Sequence, residues 1–375
     1  MSTRVAVVGG GLIGLSIAWR CARRGFDVTV YDPDTGPRAS TVAAGMLAPT
    51  CETHAGEEDL QRLLTTSALR WPDFAAELTR ATGADLGYRD EGTLLVALTD
   101  DDLREVRRLC DRYERAGLPA SPESAARLRE REPLLSPRIR GGAWIPNDRQ
   151  VDPRRVLAAL RSLVSQRIRR TRVTDLSAVD ADVTVVAAGI GTQALTGLPV
   201  RPVKGQTVRL RAPAPPVRHV IRGYARSRPV YLVPRRDGEV VIGATEEERG
   251  ADTTVTAGGL LDLLRPAADL VPGIVEYPVA ETIAGLRPGT PDNAPIIGYL
   301  EASVIVAAGH YRNGVLLAPV TADAVADLVA TGAVPDEVKP FVPDRPTGTT
   351  SGKLWPPHPA EATTSGKLCQ ITEAS

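Results

Sequence analysis

Arg4-Val5-Ala6-Val7-Val8-Gly9-Gly10-Gly11-Leu12-Ile13-Gly14 decides how the rest of the chain is read. The four residues before the glycines are apolar and rich in β-branched side chains, so they predict a short strand. Gly9-x-Gly11-x-x-Gly14 is the spacing of a dinucleotide turn. The first glycine allows the tight turn, the second lets a pyrophosphate approach the backbone, and the third lets helix and strand pack closely. The anion then sits on the free N–H groups at the helix N-terminus. Leu12, Ile13, Ser16, Ile17, Trp19 and Arg20 predict one face of that helix, and Gly25 its C-terminal stop. Phe26–Tyr31 predicts a second strand. It ends at Asp32, about eighteen residues beyond Gly14, where such folds place a ribose-binding carboxylate. A secretory leader is the competing reading of Arg4 to Trp19. Four glycines, the basic end at Arg20, Arg23 and Arg24, and the lack of an A-x-A site oppose it.

Composition narrows the classes around this stretch. The chain has 375 residues, enough for two domains. Its 45 basic and 45 acidic side chains cancel, so nothing points to nucleic acid or an anionic membrane as partner. No apolar run reaches the roughly 18 residues of a spanning helix. Cys21, Cys51, Cys110 and Cys369 lack metal-ligand spacing and suggest a reducing, cytoplasmic setting; no metal site is expected. Lysine occurs only at Lys204, Lys339, Lys353 and Lys367, a coding bias without chemical meaning.

Downstream, Val42–Pro49 is built of small residues, either for tight helix packing or for a loop whose backbone covers a flat ring. Glu57–Thr82 predicts a helix with Leu60, Leu63, Leu64, Ala68, Trp71, Phe74, Ala75 and Leu78 on one face. Tyr88–Ala97 reads as a turn feeding a strand. Asp101–Ala116 and Ser121–Glu132 read as charged amphipathic helices, and Gly142–Ile145 as a strand. Asp152 is a natural N-cap, with Pro153 at the first helical position. The basic run Arg167–Arg172 reads as a strand flank, with Val173 ending the strand. Asp182–Gly191 is a buried strand closing in a glycine turn at Gly189, at the sheet edge where ligands bind. From Val203 a different regime begins. Strands at Val203–Leu210, Pro229–Arg235 and Glu239–Thr245, with the Asp237-Gly238 hairpin signal, predict an antiparallel sheet. A helix at Gly258–Leu270 and a strand at Val275–Ile283 follow. That strand delivers Arg287 into the loop Pro288–Pro295. Val304–Pro319 repeats the pattern of strand, glycine loop and helix start. From Pro340 the chain reads as a disordered tail, in which Thr-Thr-Ser-Gly-Lys-Leu occurs at 349–354 and again at 363–368. The repeat reads as accident or as a binding element.

The glycine fingerprint, Ala43–Pro49, Val185–Gly191, Gly285–Gly298 and Gly309–Gly314 together resemble the D-amino-acid oxidase family of flavoproteins. Within it the chain resembles the glycine oxidase branch tied to thiamine biosynthesis. The resemblance covers roughly residues 4–335. It implies an α/β fold: a Rossmann-like FAD-binding domain (1–85, 145–205 and 281–339) interleaved with an antiparallel-sheet substrate-binding domain (86–144 and 206–280). It implies oxidation of a small amino acid by O2 through FAD. Sarcosine or small D-amino acids remain open as substrates beside glycine, and a dehydrogenase beside an oxidase. It further implies a homo-oligomer, a tetramer.

For the site, the resemblance implies that Arg287 clamps the substrate carboxylate, the task a planar guanidinium does best. An ion-pair role for Arg287 stays open. Tyr231 would donate to the same carboxylate, or be a sheet-face aromatic. Arg312 would face the substrate amine through its main chain. By the same resemblance Gly9, Gly11, Leu12, Ile13, Gly14, Asp32, Pro33, Ser40, Ala44, Gly45, Met46, Val173 and Gly189 hold the cofactor. The loop His310, Tyr311, Arg312, Asn313, Gly314, Val315, Leu316 would lie along its ring. His310 is either a loop contact or a base; no certain catalytic acid or base stands out. Some relatives carry an apolar residue where this chain has Glu246-Glu247-Glu248. Relatives that bind flavin covalently have a cysteine near Thr290, and Arg287–Asp292 has none, so FAD is expected to be non-covalent.

Overall fold

Val5-Ala6-Val7-Val8 and Val183-Thr184-Val185-Val186 lack polar alternation, the pattern of strands covered on both faces. In the computed structural model, which describes residues 2–36, 38–52, 54, 56–212 and 217–345, they lie side by side. In chain order the strands are β1 (Arg4–Val8), β2 (Asp27–Tyr31), β3 (Met46–Leu47), β4 (Thr93–Ala97), β5 (Ser121–Ser124), β6 (Gly141–Ile145), β7 (Arg149–Gln150), β8 (Ile168–Arg169), β9 (Val183–Val186), β10 (Arg201–Arg211), β11 (Val220–Ala225), β12 (Arg228–Pro234), β13 (Glu239–Gly243), β14 (Val279–Gly289), β15 (Ile296–Glu301) and β16 (Val304–Ala308). The helices are α1 (Leu12–Arg23), α2 (Ala39–Val42), α3 (Glu58–Thr82), α4 (Asp100–Arg115), α5 (Ala125–Arg131), α6 (Pro153–Leu163), α7 (Thr192–Thr196), α8 (Ala257–Leu270) and α9 (Ala318–Thr331).

One sheet has the order β15-β16-β9-β1-β2-β8, parallel throughout except for the edge strand β15. Helices α1, α3, α6 and α9 bury their apolar faces with it, around Leu15, Ile17, Trp71, Phe74, Leu160 and Val325. All eight positions expected on the apolar face of α3 are buried. On α1, Leu15 is fully buried, while Arg20 lies at the edge, paired with Glu77 and Asp323. The Asp152 carboxylate caps α6 through the N–H groups of Arg154 (2.9 Å) and Arg155 (3.4 Å).

The second sheet runs β14-β10-β13-β12-β11-β4-β6-β5. One face packs on α8, with Leu263, Ala267 and Leu270 against Val208, Ile221, Leu232 and Ile242. The expected antiparallel sheet is in fact mixed, because β4 pairs with β11 in parallel. These strands are distant in sequence, so no hairpin constrains their direction. Residues 201–205 and 281–289, assigned from the sequence to the nucleotide-binding part, run in this second sheet.

Other boundaries also move. Ser121–Ser124, expected to be helical, is an edge strand, and Ser124 caps α5. The strand expected from Val275 starts at Val279, after a 3-10 turn at Pro272–Glu276. The strand expected to end at Val173 ends at Arg169. Residues 340–345, placed in the tail, are ordered: Phe341 is buried, and Arg345 grips Asp292 at 2.8 and 3.0 Å. The remainder of the tail, with its repeated hexapeptide and Cys369, lies outside the described residues.

Candidate active site

The glycine turn between β1 and α1 separates packing from access. Gly9 has φ +118°, and a Cβ there would overlap the Ala187 carbonyl just past β9. A Cβ on Gly14 would overlap the Gly9 carbonyl. Around Gly11 nothing among the described residues lies within 4 Å of where a Cβ would stand. Gly11 is also the N-cap of α1, without a side-chain capping bond. The helix therefore offers uncapped N–H donors beside open space, the chemistry an anionic phosphate needs. Asp32 is buried one residue past β2. Its carboxylate accepts from the Asp34 N–H (3.1 Å) and pairs with Arg38 (2.6 Å) and more loosely with Arg161 (3.5 Å). With about four lone-pair sites it keeps acceptor capacity for a hydroxyl. Ser40, in α2, has a buried Oγ without a hydrogen-bond partner among the described residues. An orphaned hydroxyl and an open, uncapped turn fit a dinucleotide cofactor.

Other expected cofactor residues fall around this edge. Leu12 is buried and Ile13 half-buried in the first turn of α1. Pro33 follows Asp32, and Arg172, next to Val173, donates to Thr35 at 3.3 Å, so the loop after β8 runs along that segment. Gly189 has φ +58° in the turn after β9. In the segment 42–49, a Cβ on Gly45 would overlap the Val151 carbonyl, so tight packing accounts for that glycine. Ala44 and Met46 pack with Tyr231 against Val220, Val233 and Val241.

Tyr231 and Arg287 come together on the face of the second sheet opposite α8. Tyr231 lies across Gly243 of the neighbouring strand, where a Cβ would be 2.5 Å from the phenol carbon. Arg287 lies flat over Gly205 in the same way, its guanidinium carbon 2.5 Å from a Cβ position. The two glycines make room for two donors. Arg287 donates to the carbonyls of Lys204 (3.3 Å) and Thr245 (3.1 Å), and no carboxylate pairs with it among the described residues. Burial raises the Tyr231 phenol pKa, with the nearby Arg287 charge opposing, so the hydroxyl keeps its proton at neutral pH.

The loop between β16 and α9 forms an adjacent wall. Ser67 (2.6 Å) and Trp71 (2.9 Å) of α3 both donate to the Leu316 carbonyl and fix its end. Tyr311 has φ +49°, and its N–H donates to the Pro288 carbonyl (3.0 Å). The Asn313 carbonyl accepts from Leu317 (2.8 Å). The N–H groups of Gly314, Val315 and Leu316 donate to no protein acceptor among the described residues, leaving a row of donors ahead of the α9 N-terminus. His310 is buried, with Nε2 3.0 Å from Thr321 Oγ1. Burial lowers its pKa to about 3, so it is neutral and occupied, which suits a loop contact and not a base.

Sequence reasoning missed the groups that hold Arg312. Its Nε is 3.7 Å from Glu52 and its terminal nitrogen 3.0 Å from His54 Nε2. Glu52 also pairs with Arg222, which stands opposite Tyr231 across β11 and β12. Burial alone would raise the Glu52 pKa, but Arg222 and Arg312 hold it down to about 2. The one available signal was charge inside apolar context: Arg222 within a strand and Glu52 beside the small-residue segment. The three glutamates also separate. Glu246 accepts from the Tyr311 hydroxyl (2.7 Å), Glu247 bonds Gln206 (2.7 Å), and Glu248 pairs with Arg201 at the surface.

The model of the family described as FAD dependent oxidoreductase (DAO) matches residues 4–328. The glycine oxidase of Geobacillus kaustophilus is 33% identical over 90% of this chain and 95% of its own length. The bifunctional protein ThiO/ThiG of Trichormus variabilis is 35% identical over 88% of this chain and 53% of its own. This chain thus spans about half the length of the bifunctional relatives. The crystal structure of the Geobacillus kaustophilus glycine oxidase superposes with a TM-score of 0.84, over 92% of this chain and 100% of that chain. That of iminodiacetate oxidase from Chelativorans gives 0.80 at 27% identity, over 92% and 100%.

Proposed function

The chain belongs to the FAD-dependent oxidoreductase family of the D-amino-acid oxidase type, and we propose that it oxidises glycine to the imine, which hydrolyses to glyoxylate and ammonia, while O2 is reduced to hydrogen peroxide. Its glycine oxidase relatives support this reading, and its bifunctional relatives support supply of the imine to thiazole formation in thiamine synthesis. Non-covalent FAD, when bound, supplies the acceptor for the hydride leaving the α-carbon.

The residues divide the remaining work. The turn Gly9, Gly11, Gly14 and the N–H groups of Leu12 and Ile13 hold the phosphates, Asp32 the ribose. Gly314, Val315 and Leu316 donate N–H groups where negative charge develops. Arg287 and Tyr231 fix the substrate carboxylate, which leaves amine and α-carbon as the free end. His310, neutral and bonded to Thr321, takes no proton, and hydride loss from a neutral amine needs no base. The carrying observation is Arg287, a cation satisfied by two carbonyls and paired with no carboxylate among the described residues. Comparing glycine with glycine methyl ester tests it: the ester should lose most turnover, and equal turnover would sink the clamp. Acid precipitation should release the flavin into the supernatant; flavin retained on the protein would contradict the non-covalent reading.

A further inference from the structure

Residues 243–246 touch three pocket groups in succession. Gly243 lies beneath the Tyr231 phenol, the Thr245 carbonyl accepts from Arg287, and the Glu246 carboxylate accepts from the Tyr311 hydroxyl. Glu246 thus stands on the wall shared by the arginine clamp and the loop before α9. Its pairing differs from that of its neighbours. Glu52 is matched by Arg222 and Arg312, and Glu247 faces Lys204. Glu246 has no cation within ion-pair distance among the described residues, and neither does Arg287 have an anion. Glu246 is also solvent-exposed.

We propose that Glu246 determines specificity by charge: it repels substrates that carry a second negative group and admits neutral or cationic ones. The inference rests on Arg287 being the carboxylate clamp. A first carboxylate is held by Arg287, and a second, extending from the amine or α-carbon, meets the uncompensated charge of Glu246. Like charges repel even in partly screened surroundings, and such repulsion is one of the ways a site separates ligands. Exposure to solvent ions limits the effect to about tenfold.

The test uses the holoenzyme, wild type, Glu246→Gln and Tyr311→Phe. Calorimetry gives the affinities of acetate and malonate, and steady-state kinetics compare iminodiacetate with glycine. In Glu246→Gln the malonate-to-acetate affinity ratio and the iminodiacetate-to-glycine kcat/KM ratio should both rise about tenfold. Tyr311→Phe keeps the charge and loses only the hydrogen bond, so its ratios should stay near those of wild type. Ratios within twofold of wild type in Glu246→Gln would overturn the proposal. So would an equal shift in Tyr311→Phe, which would assign the effect to the bond. If glycine reduces no variant yet the malonate ratio still rises in Glu246→Gln, the charge filter stands and the oxidation reading falls.

Discussion

Arg287 and His310 show how surroundings assign a role to a side chain. Arg287 binds two carbonyls and has room because Gly205 lacks a Cβ. Arg287→Lys keeps the charge but loses the two-donor plane, so the glycine KM should rise at least about tenfold, with a smaller change in kcat. Steady-state kinetics at fixed oxygen check this. His310 has its pKa lowered to about 3 by burial. The unfolded chain therefore takes a proton that the folded one refuses as the pH falls from about 6.5. The resulting stability is complete above that value and is lost between about 6.5 and 3. His54, lowered to about 3 by burial and then Arg312, acts with the same sign. Melting temperatures from pH 7 to pH 4 should thus fall less steeply in His310→Gln than in wild type; parallel curves would contradict the assignment.

The first turn of α1 makes the element-scale case. Gly11 has room for a Cβ and an ordinary φ of −77°, whereas a Cβ on Gly14 would strike the Gly9 carbonyl. Gly11→Ala should leave the melting temperature of the apoprotein nearly unchanged and weaken FAD binding. Gly14→Ala should destabilise the apoprotein by about 1–3 kcal/mol. Thermal melts of apoprotein with a FAD titration separate the two. Elements with a strong local signal were legible in the sequence. The strand-turn-helix of β1 and α1 rests on glycine spacing, α3 on a long apolar face, and α6 on Asp152 and Pro153. Elements fixed from afar were not. Ser121–Ser124 is a strand because β6 offers an edge to it, and β4 is parallel to β11 because of the sheet's overall path. The site followed the same division. Arg287 and Tyr231 were singled out by the family resemblance, and both lie on the sheet face opposite α8, over Gly205 and Gly243. The link from Glu52 to Arg222 and Arg312 joins three distant segments, and charge in an apolar context marks two of its members without showing that they meet.

Across the whole molecule, charged side chains tie the two sheets together. Arg209, its side chain 1% exposed, reaches Glu239 of β13 (2.5 Å), Glu281 of β14 (3.2 Å) and the Thr41 carbonyl of α2 (3.4 Å). Arg154 of α6 joins Glu281 from the other side at 2.7 Å. Arg209→Met should leave Glu239 without its buried cation and Glu281 with Arg154 alone, and lower the unfolding free energy by about 3 kcal/mol, read from denaturant melts. On the proposed reading the glycine turn of one sheet holds the cofactor phosphates and Arg287 of the other the substrate carboxylate, so a single cofactor and substrate must meet both. The direct test of that arrangement is an anaerobic absorbance spectrum of the purified holoenzyme, before and after glycine and then after air. The account predicts a flavin band that glycine bleaches and air restores, with hydrogen peroxide formed. A flavin that glycine leaves oxidised would contradict it.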